Sequence, residues 1–554
     1  MKAFFRFVLL LILLAVAAVA GYFFLESDNS TYEPYQFIPE DFVYIIESDR
    51  PAGDWQDMSK TEIWQYLKGS DYFADITESA DYLDSLLTAN QTLVDLVKLG
   101  DMVISEHMLT AQKSDFLILV DLKGKGRKLP KLKPLTTALF KELGYQVETD
   151  KFFKFDVYHL YDPWTKETLY LAPVENILIA SYTEDLVKRA ISQSEKAPIT
   201  ENPTFAKIQE KASSSDLYTI YLNFQTLHQY ANTFTTEPSE SMEGLHEILS
   251  YATFDLHMED EYTEMEGFVQ QIDSVPSYLS VFSDIGSGEI SAQAVLPQQT
   301  AMFTSIGFED FADLYDRFSK QLEQEDPEEY EDLVKNRRRI EKLLKIDFDR
   351  DFFDWMTEEV VTAVIPVDAQ GSEHSYYALL HFEDYEQTKE RLDYVVERIG
   401  KTPVKFKEKD YKGFTIKYLA LKGFFKLFFK KMFSDIEKPH FTYIDDYVVF
   451  SNDTTSLQLM IDEYLEQRVL KNDEAYSNFM ESFKSSSNVF TYLRNEEFFP
   501  YLLTSMDYET RKDMVKNQKY YRSFPQIGFQ LYPSGGMYKA YFHAEFAPEG
   551  DTPN

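Results

Sequence analysis

One long apolar run opens the chain, and short stretches of alternating apolar and polar residues follow it. Residues 7–25 (FVLLLILLAVAAVAGYFFL) carry no charge. At about 1.5 Å rise per residue, such a helix nearly spans a hydrocarbon core of about 30 Å. Lys2 and Arg6 stand before it; Glu26, Asp28 and Glu33 follow, and the next basic residue is Arg50. The positive-inside rule predicts a cytoplasmic amino terminus, a single pass through the inner membrane at residues 7–25, and an exported remainder. Ala18-Val19-Ala20 has the small-x-small form of a cleavage site, so a signal peptide is the alternative. The run continues apolar to Leu25, which favours an uncleaved anchor. No cysteine follows it, which excludes a lipoprotein anchor.

Beyond this run the second half of the chain echoes the first. Residues 176–181 (NILIAS) match 447–451 (YVVFS), and helical patterns follow at 184–192 and 455–465. Residues 212–219 (ASSSDLYT) then match 484–491 (KSSSNVFT). Upstream, 38–46 parallels 296–303, 115–120 parallels 376–381, and helices end at Gly144 and Gly400. Downstream, 253–258 parallels 526–531, and alternating strands close each half at 264–272 and 537–546. Each half reads β–α–β–β–α–β–β–α–α–β–β. Short turns such as Asp445-Asp446 join neighbouring strands, which implies antiparallel pairing. The predicted fold class is α+β: an amino-terminal transmembrane helix, then two related modules, each a mainly antiparallel sheet covered on one face by helices. The expected divisions are 1–25 (anchor or signal peptide), 26–36 (linker), 37–272 (first module), 273–294 (linker), 295–548 (second module) and 549–554 (tail). Pro276, Gly286 and Gly288 interrupt the periodicity in the second linker.

Composition narrows the function classes. Among 554 residues, 93 are Asp or Glu and 55 are Lys or Arg, for a net charge of −38. Such a surface repels a phosphate backbone, so no nucleic-acid partner is expected. With 44% hydrophobic and 16% aromatic residues the chain can build packed cores and is not disordered as a whole. The absence of cysteine removes disulfides, thiolate metal sites, iron–sulfur clusters and Cys nucleophiles.

The anchor, the Pro-initiated strand at Ile38-Pro39, the segment LxID…DFFDW…EEV between Leu344 and Val361, and the strand YVVFS leading into a helix are found together in one family. With these features the chain resembles the bacterial domain-of-unknown-function 3352 family of exported, single-anchor proteins. The first half lacks the acidic-Trp segment, at residues 86–104. The resemblance implies a bacterial envelope location and brings no catalytic residue.

No reaction chemistry stands out. Asp347, Asp349, Asp351 and Glu358 have the spacing of a calcium loop, but Phe352 occupies the position where the turn needs glycine. A capped helix burying Phe352, Phe353 and Met356 is the better reading. The nine histidines include no HExxH pair, and no Gly-x-Ser-x-Gly elbow occurs. No catalytic residue, metal site or cofactor is assigned. Two contact surfaces are. Lys123, Lys125, Arg127 and Lys128 form a basic loop suited to an acidic partner. Phe424, Phe425, Phe428 and Phe429 share one helical face with Lys426 and Lys430 opposite, a pattern for a partner's groove or a membrane interface. The leading expectation is a non-enzymatic, membrane-anchored envelope protein that works by association with other envelope proteins in an assembly or scaffold. The alternative is a lipid- or glycan-binding protein with a cleft between the repeats; a hydrolase ranks third.

Overall fold

The computed structural model describes residues 32–70, 100–121, 145–163, 165–213, 217–236, 240–272, 274–275, 277–282, 285–368, 373–400, 408–419, 435–437 and 439–548. The apolar run at 7–25 lies outside these residues. Among the described residues, no helix is long and apolar enough to cross a membrane. The chain divides into two compact units: residues 1–242 with 249–270, and residues 271–554 with 243–248.

Unit 1 is built on strands β1 (Phe42–Ser48), β2 (Asp101–Thr110), β3 (Lys113–Asp121), β4 (Gln146–Phe152), β5 (Phe155–Asp162), β6 (Glu167–Val174), β7 (Ile177–Ser181), β8 (Tyr218–Asn223), β9 (Leu249–Met258) and β10 (Tyr262–Gln271). Their spatial order is β10-β9-β8-β1-β2-β3-β7-β6-β5-β4. Unit 2 carries β11 (Met302–Asp310), β12 (Thr357–Pro366), β13 (His374–His381), β14 (Glu408–Tyr411), β15 (Phe414–Tyr418), β16 (His440–Ile444), β17 (Tyr447–Ser451), β18 (Val489–Arg494), β19 (Gln526–Ser534) and β20 (Met537–Glu545). Their order is β20-β19-β18-β11-β12-β13-β17-β16-β15-β14, the same path strand for strand. Every pair with a defined register is antiparallel. Register fixes residue equivalence: Tyr221 faces Ile45 across β8–β1, and Tyr492 faces Phe303 across β18–β11.

The sequence pattern anticipates seven strands per unit, and the main sheet has ten in each among the described residues. The hairpins β4–β5 and β14–β15 escape it because β4 and β14 have only exposed and half-buried positions. By contrast β7 and β17 are buried at every position. Continuous apolar strands of that kind have both faces shielded, so the sheet centre is not covered on one face alone as the pattern suggests. Two-residue turns lead into both strands, with Glu175 and Asp445 in left-handed conformation (φ 53° and 51°).

Helices α1 (Pro51–Met58) and α2 (Glu62–Leu67) follow β1, α3 (Glu184–Gln193) and α4 (Pro203–Gln209) follow β7, and α5 (Phe224–Ala231) follows β8. In unit 2, α6 (Phe311–Glu325) and α7 (Pro327–Leu344) follow β11, α8 (Tyr385–Gly400) follows β13, α9 (Thr454–Leu465) and α10 (Glu474–Met480) follow β17, and α11 (Asn495–Ser505) follows β18. The caps repeat too. Asn202 accepts from the Thr204 and Phe205 amides at 2.9 and 3.3 Å, and Asp473 from those of Ala475 and Tyr476 at 3.0 and 3.3 Å. Each cap supplies orphan amide donors with an acceptor and starts a helix whose third residue, Phe205 or Tyr476, enters the core. There Phe205 meets Tyr35, Phe42, Tyr221 and Tyr251 edge-on or tilted, while Tyr476 meets Tyr492 edge-on at 5.0 Å.

The expected linker at 273–294 falls within the residues of unit 2. Leu279, Val281, Phe282 and Ile290 are buried, and Gly288–Glu289 forms a short ladder with Ser486–Ser487. A Cβ on Gly288 would lie 1.8 Å from the Glu358 carbonyl oxygen, and one on Gly307 would lie 2.0 Å from that of Ser487. Glycine therefore permits an approach that any side chain would block.

Candidate functional site

Both contact surfaces assigned from the sequence fall outside the described residues. Lys123, Lys125, Arg127 and Lys128 lie within residues 122–144, and Phe424, Phe425, Lys426, Phe428, Phe429 and Lys430 within residues 420–434. The acidic segment at 347–358 is described, and its carboxylates already have protein partners. Asp351 is fully buried, pairs with Arg350 at 2.7 and 2.8 Å and accepts from the Asp347 amide at 2.9 Å. Asp349 pairs with Arg337 at 2.6 Å. Phe352, Phe353 and Met356 are buried as the capped-helix reading expects, but the helix is a single π turn, Asp349–Phe353, and no side chain caps it.

Three polar arrangements in unit 1 were not legible in the sequence. The first runs through the sheet. Ser105 Oγ and His107 Nε2 lie 2.9 Å apart, His107 Nδ1 lies 3.4 Å from Asp41, and Arg189 donates to Asp41 at 2.5 Å. Burial holds the imidazole below its ordinary pKa, so it is neutral near pH 7. Burial raises the Asp41 pKa, but the His107 hydrogen bond and the Arg189 charge outweigh that and hold it at about 2. The Asp41 anion accepts from Nδ1–H, which leaves Nε2 to accept from the Ser105 hydroxyl. This is the connectivity of an acyl-transfer triad. Ser105 and His107 are both 0% exposed, however, so no substrate reaches the hydroxyl in this conformation.

The second is open. A pocket of about 150 Å³ is lined by Glu47, Ser48, Asp49, Tyr218, Thr219 and Tyr221, with others. Tyr35 and Tyr221 donate their hydroxyls to Glu47 at 2.7 and 3.4 Å. Burial raises the Glu47 pKa, the two tyrosines oppose that rise, and Asp101 and Asp49 add to it. Apart from this pocket, on β2, Glu106 is 2% exposed, its Oε2 makes no hydrogen bond, and burial lifts its pKa to about 7.

The third brings Asp150 (β4), His159 (β5) and Glu184 (the first residue of α3) together, with one ligand atom from each within 4.8 Å of the others. Separations of nine and 25 residues across three elements left no pattern to read in the sequence.

Unit 2 answers with different features. Glu359 is fully buried but fully served: Ser291 donates its amide and hydroxyl, each at 2.9 Å, and Ser305 and Tyr447 donate their hydroxyls. A wide charged groove of about 940 Å³ runs beside α8, lined among others by Arg350, Lys389, Arg391, Asp393 and Tyr394. The outer face of α7 changes sign along its length. Glu328, Glu331 and Asp332 are exposed at its start; Arg338, Arg339 and Lys342 are exposed at its end and make no ion pair among the described residues. Leu343 beside them is 74% exposed.

A family model described as "Protein of unknown function (DUF3352)" matches residues 131–374 and 367–521. The chain belongs to the DUF3352 family. The match begins within unit 1 and takes in β4 to β18, so both units of this DUF3352 protein contribute to it. No curated protein matches the chain in sequence. Among solved structures, one described as "Structure of crystal form III of TP0453" aligns at 10% identity and a TM-score of 0.25, covering 47% of this chain and 90% of that one. Crystal form IV of TP0453 aligns at 11% identity and 0.26, covering 43% and 81%.

Proposed function

We propose that this DUF3352 protein is a non-enzymatic envelope protein, held in the inner membrane by residues 7–25, whose exported units act by association with other proteins. The observation that carries the reading is the end of α7. Three exposed cations without an ion pair among the described residues flank an exposed leucine on a chain of net charge −38. Cations at a helix carboxyl end complement the helix dipole, worth about 0.3–1 kcal/mol each. That accounts for the charges and leaves Leu343 unexplained. A small apolar anchor rimmed by cations suits an acidic protein surface. The partner is therefore expected to be acidic and to bind less tightly as salt rises.

The test is copurification of the detergent-solubilised protein with its neighbours, wild type against R338E/R339E/K342E. The reversed variant should still unfold in one cooperative transition, displaced by no more than the few kcal/mol that three reversed charges at a helix carboxyl end cost. It should also lose the partner. Retention of every partner would remove α7 from the account, and turnover of a substrate by the isolated protein would refute the non-enzymatic reading. A second reading, a ligand-binding envelope protein, has the open Glu47 pocket in its favour.

A further inference from the structure

We propose that Asp150, His159 and Glu184 bind a divalent first-row metal ion, Zn²⁺ or Mn²⁺, on unit 1. This does not depend on the association reading. His159 Nε2 lies 3.7 Å from Asp150 Oδ2 and 3.7 Å from Glu184 Oε1. Metal bonds of about 2.0–2.2 Å place cis ligand atoms about 3–3.6 Å apart, so a shift of a few tenths of an ångström in each side chain closes both distances. Nε2 is shielded from solvent and makes no hydrogen bond. A buried imidazole nitrogen without a hydrogen-bond partner is costly, and a cation placed between it and two carboxylates satisfies all three groups. The His159 ring is held edge-on against Tyr170 at 5.0 Å. Hairpin pairing sets β4 against β5 in one antiparallel register, so two of the three donors come from one hairpin. One nitrogen and two carboxylate oxygens suit zinc or manganese, with remaining positions open to water.

Two further observations point the same way. Lys188 places its ammonium 2.7 Å from Glu184 Oε1, so the site already holds a positive charge, which a metal ion would displace. Moreover, the three donors are absent together from the duplicate. The register of the β14–β15 hairpin and the start of α9 put Lys409, Tyr418 and Thr454 at the equivalent positions. The His159–Tyr170 ring pair of unit 1 becomes Tyr418–His440 in unit 2, with the two ring types exchanged between strands.

The test is calorimetric titration of the intact, chelator-stripped protein with Zn²⁺ and with Mn²⁺ near neutral pH. The expected result is one step of one ion per chain, above the diffuse weak binding of the acidic surface. That step should vanish in H159Q and E184Q and become several-fold tighter in K188Q, where no ammonium competes. A gain of affinity cannot come from misfolding, so K188Q guards the test against unstable ligand variants. A step that survives in H159Q, the lack of any stoichiometric step in wild type, or a K188Q affinity equal to or weaker than wild type would overturn the site.

Discussion

The two units follow one strand path but bury different chemistry. Where unit 1 places Ser105, Glu106 and His107 on β2, unit 2 places Ala363, Val364 and Ile365 on β12. Where unit 1 has Glu47 on β1, unit 2 has Ser305 on β11, and the fully buried Glu359 of β12 stands where unit 1 has the half-buried Asp101. Tyr221 and Tyr492, the caps Asn202 and Asp473, and the fully buried strands β7 and β17 are kept in kind. The framework is thus carried by apolar strand faces, core tyrosines and caps. Buried polar groups come and go as sets, since a polar group left in the core without its partner costs more than replacement of the whole set by apolar residues.

The largest expected effect tests whether the shared framework bears equal load. Tyr221→Ala and Tyr492→Ala remove equivalent buried rings, at 2% and 0% exposure. Each should cost its own unit about 3–5 kcal/mol, the range for large aromatic truncations, in a denaturant titration that resolves the two units. A cost confined to one of them would break the equivalence.

The next effect sharpens the difference. Glu106 keeps its proton in the folded unit up to about pH 7, whereas the unfolded chain gives it up near 4.5. The folded state binds more protons across that window, so unit 1 loses stability as pH rises from about 4.5 to 7. The loss approaches about 3 kcal/mol once both values are passed. Glu106→Val, the residue of unit 2, should abolish that slope and stabilise unit 1 at pH 8, as followed by thermal unfolding against pH. An unchanged slope would show that Glu106 is not the titrating group.

How much was legible follows from the same contrast. The strand at 447–451 announces itself because five buried residues in a row leave only one reading, and its match to 176–181 is the register the structure shows. The pairing of Asp115 with Tyr376 is one residue out, since Val120 and Leu380 are equivalent through Leu178 and Val448. Apolar similarity cannot distinguish neighbours in so uniform a run, although a one-residue slip exchanges the two faces. The hairpin strands β4 and β14 were hidden by their polar edges. Site residues were harder still. Asp41, His107 and Arg189 meet only because the turn before β1, β2 and α3 converge, and no spacing rule joins positions so far apart.

Smaller effects should again come in pairs. Asn202→Ala and Asp473→Ala each remove the acceptor that starts α4 or α10, and each should cost about 1 kcal/mol in the same titration. Asp41→Asn should cost unit 1 less than about 1 kcal/mol, because Asp41 and Arg189 are partly exposed. Asp41 ionises at a lower pH in the folded state than in the unfolded chain. Its contribution is therefore present above about pH 3.8 and lost as the pH falls towards 2, and the variant should lack that acid-side loss.

The duplicated framework is tested most directly by hydrogen exchange of the intact protein, followed by mass spectrometry across both units. The account predicts matched protection for β7 and β17 and for β2 and β12, with early exchange in the polar hairpins β4–β5 and β14–β15. Strong protection of β17 beside free exchange in β7, or the reverse, would contradict it.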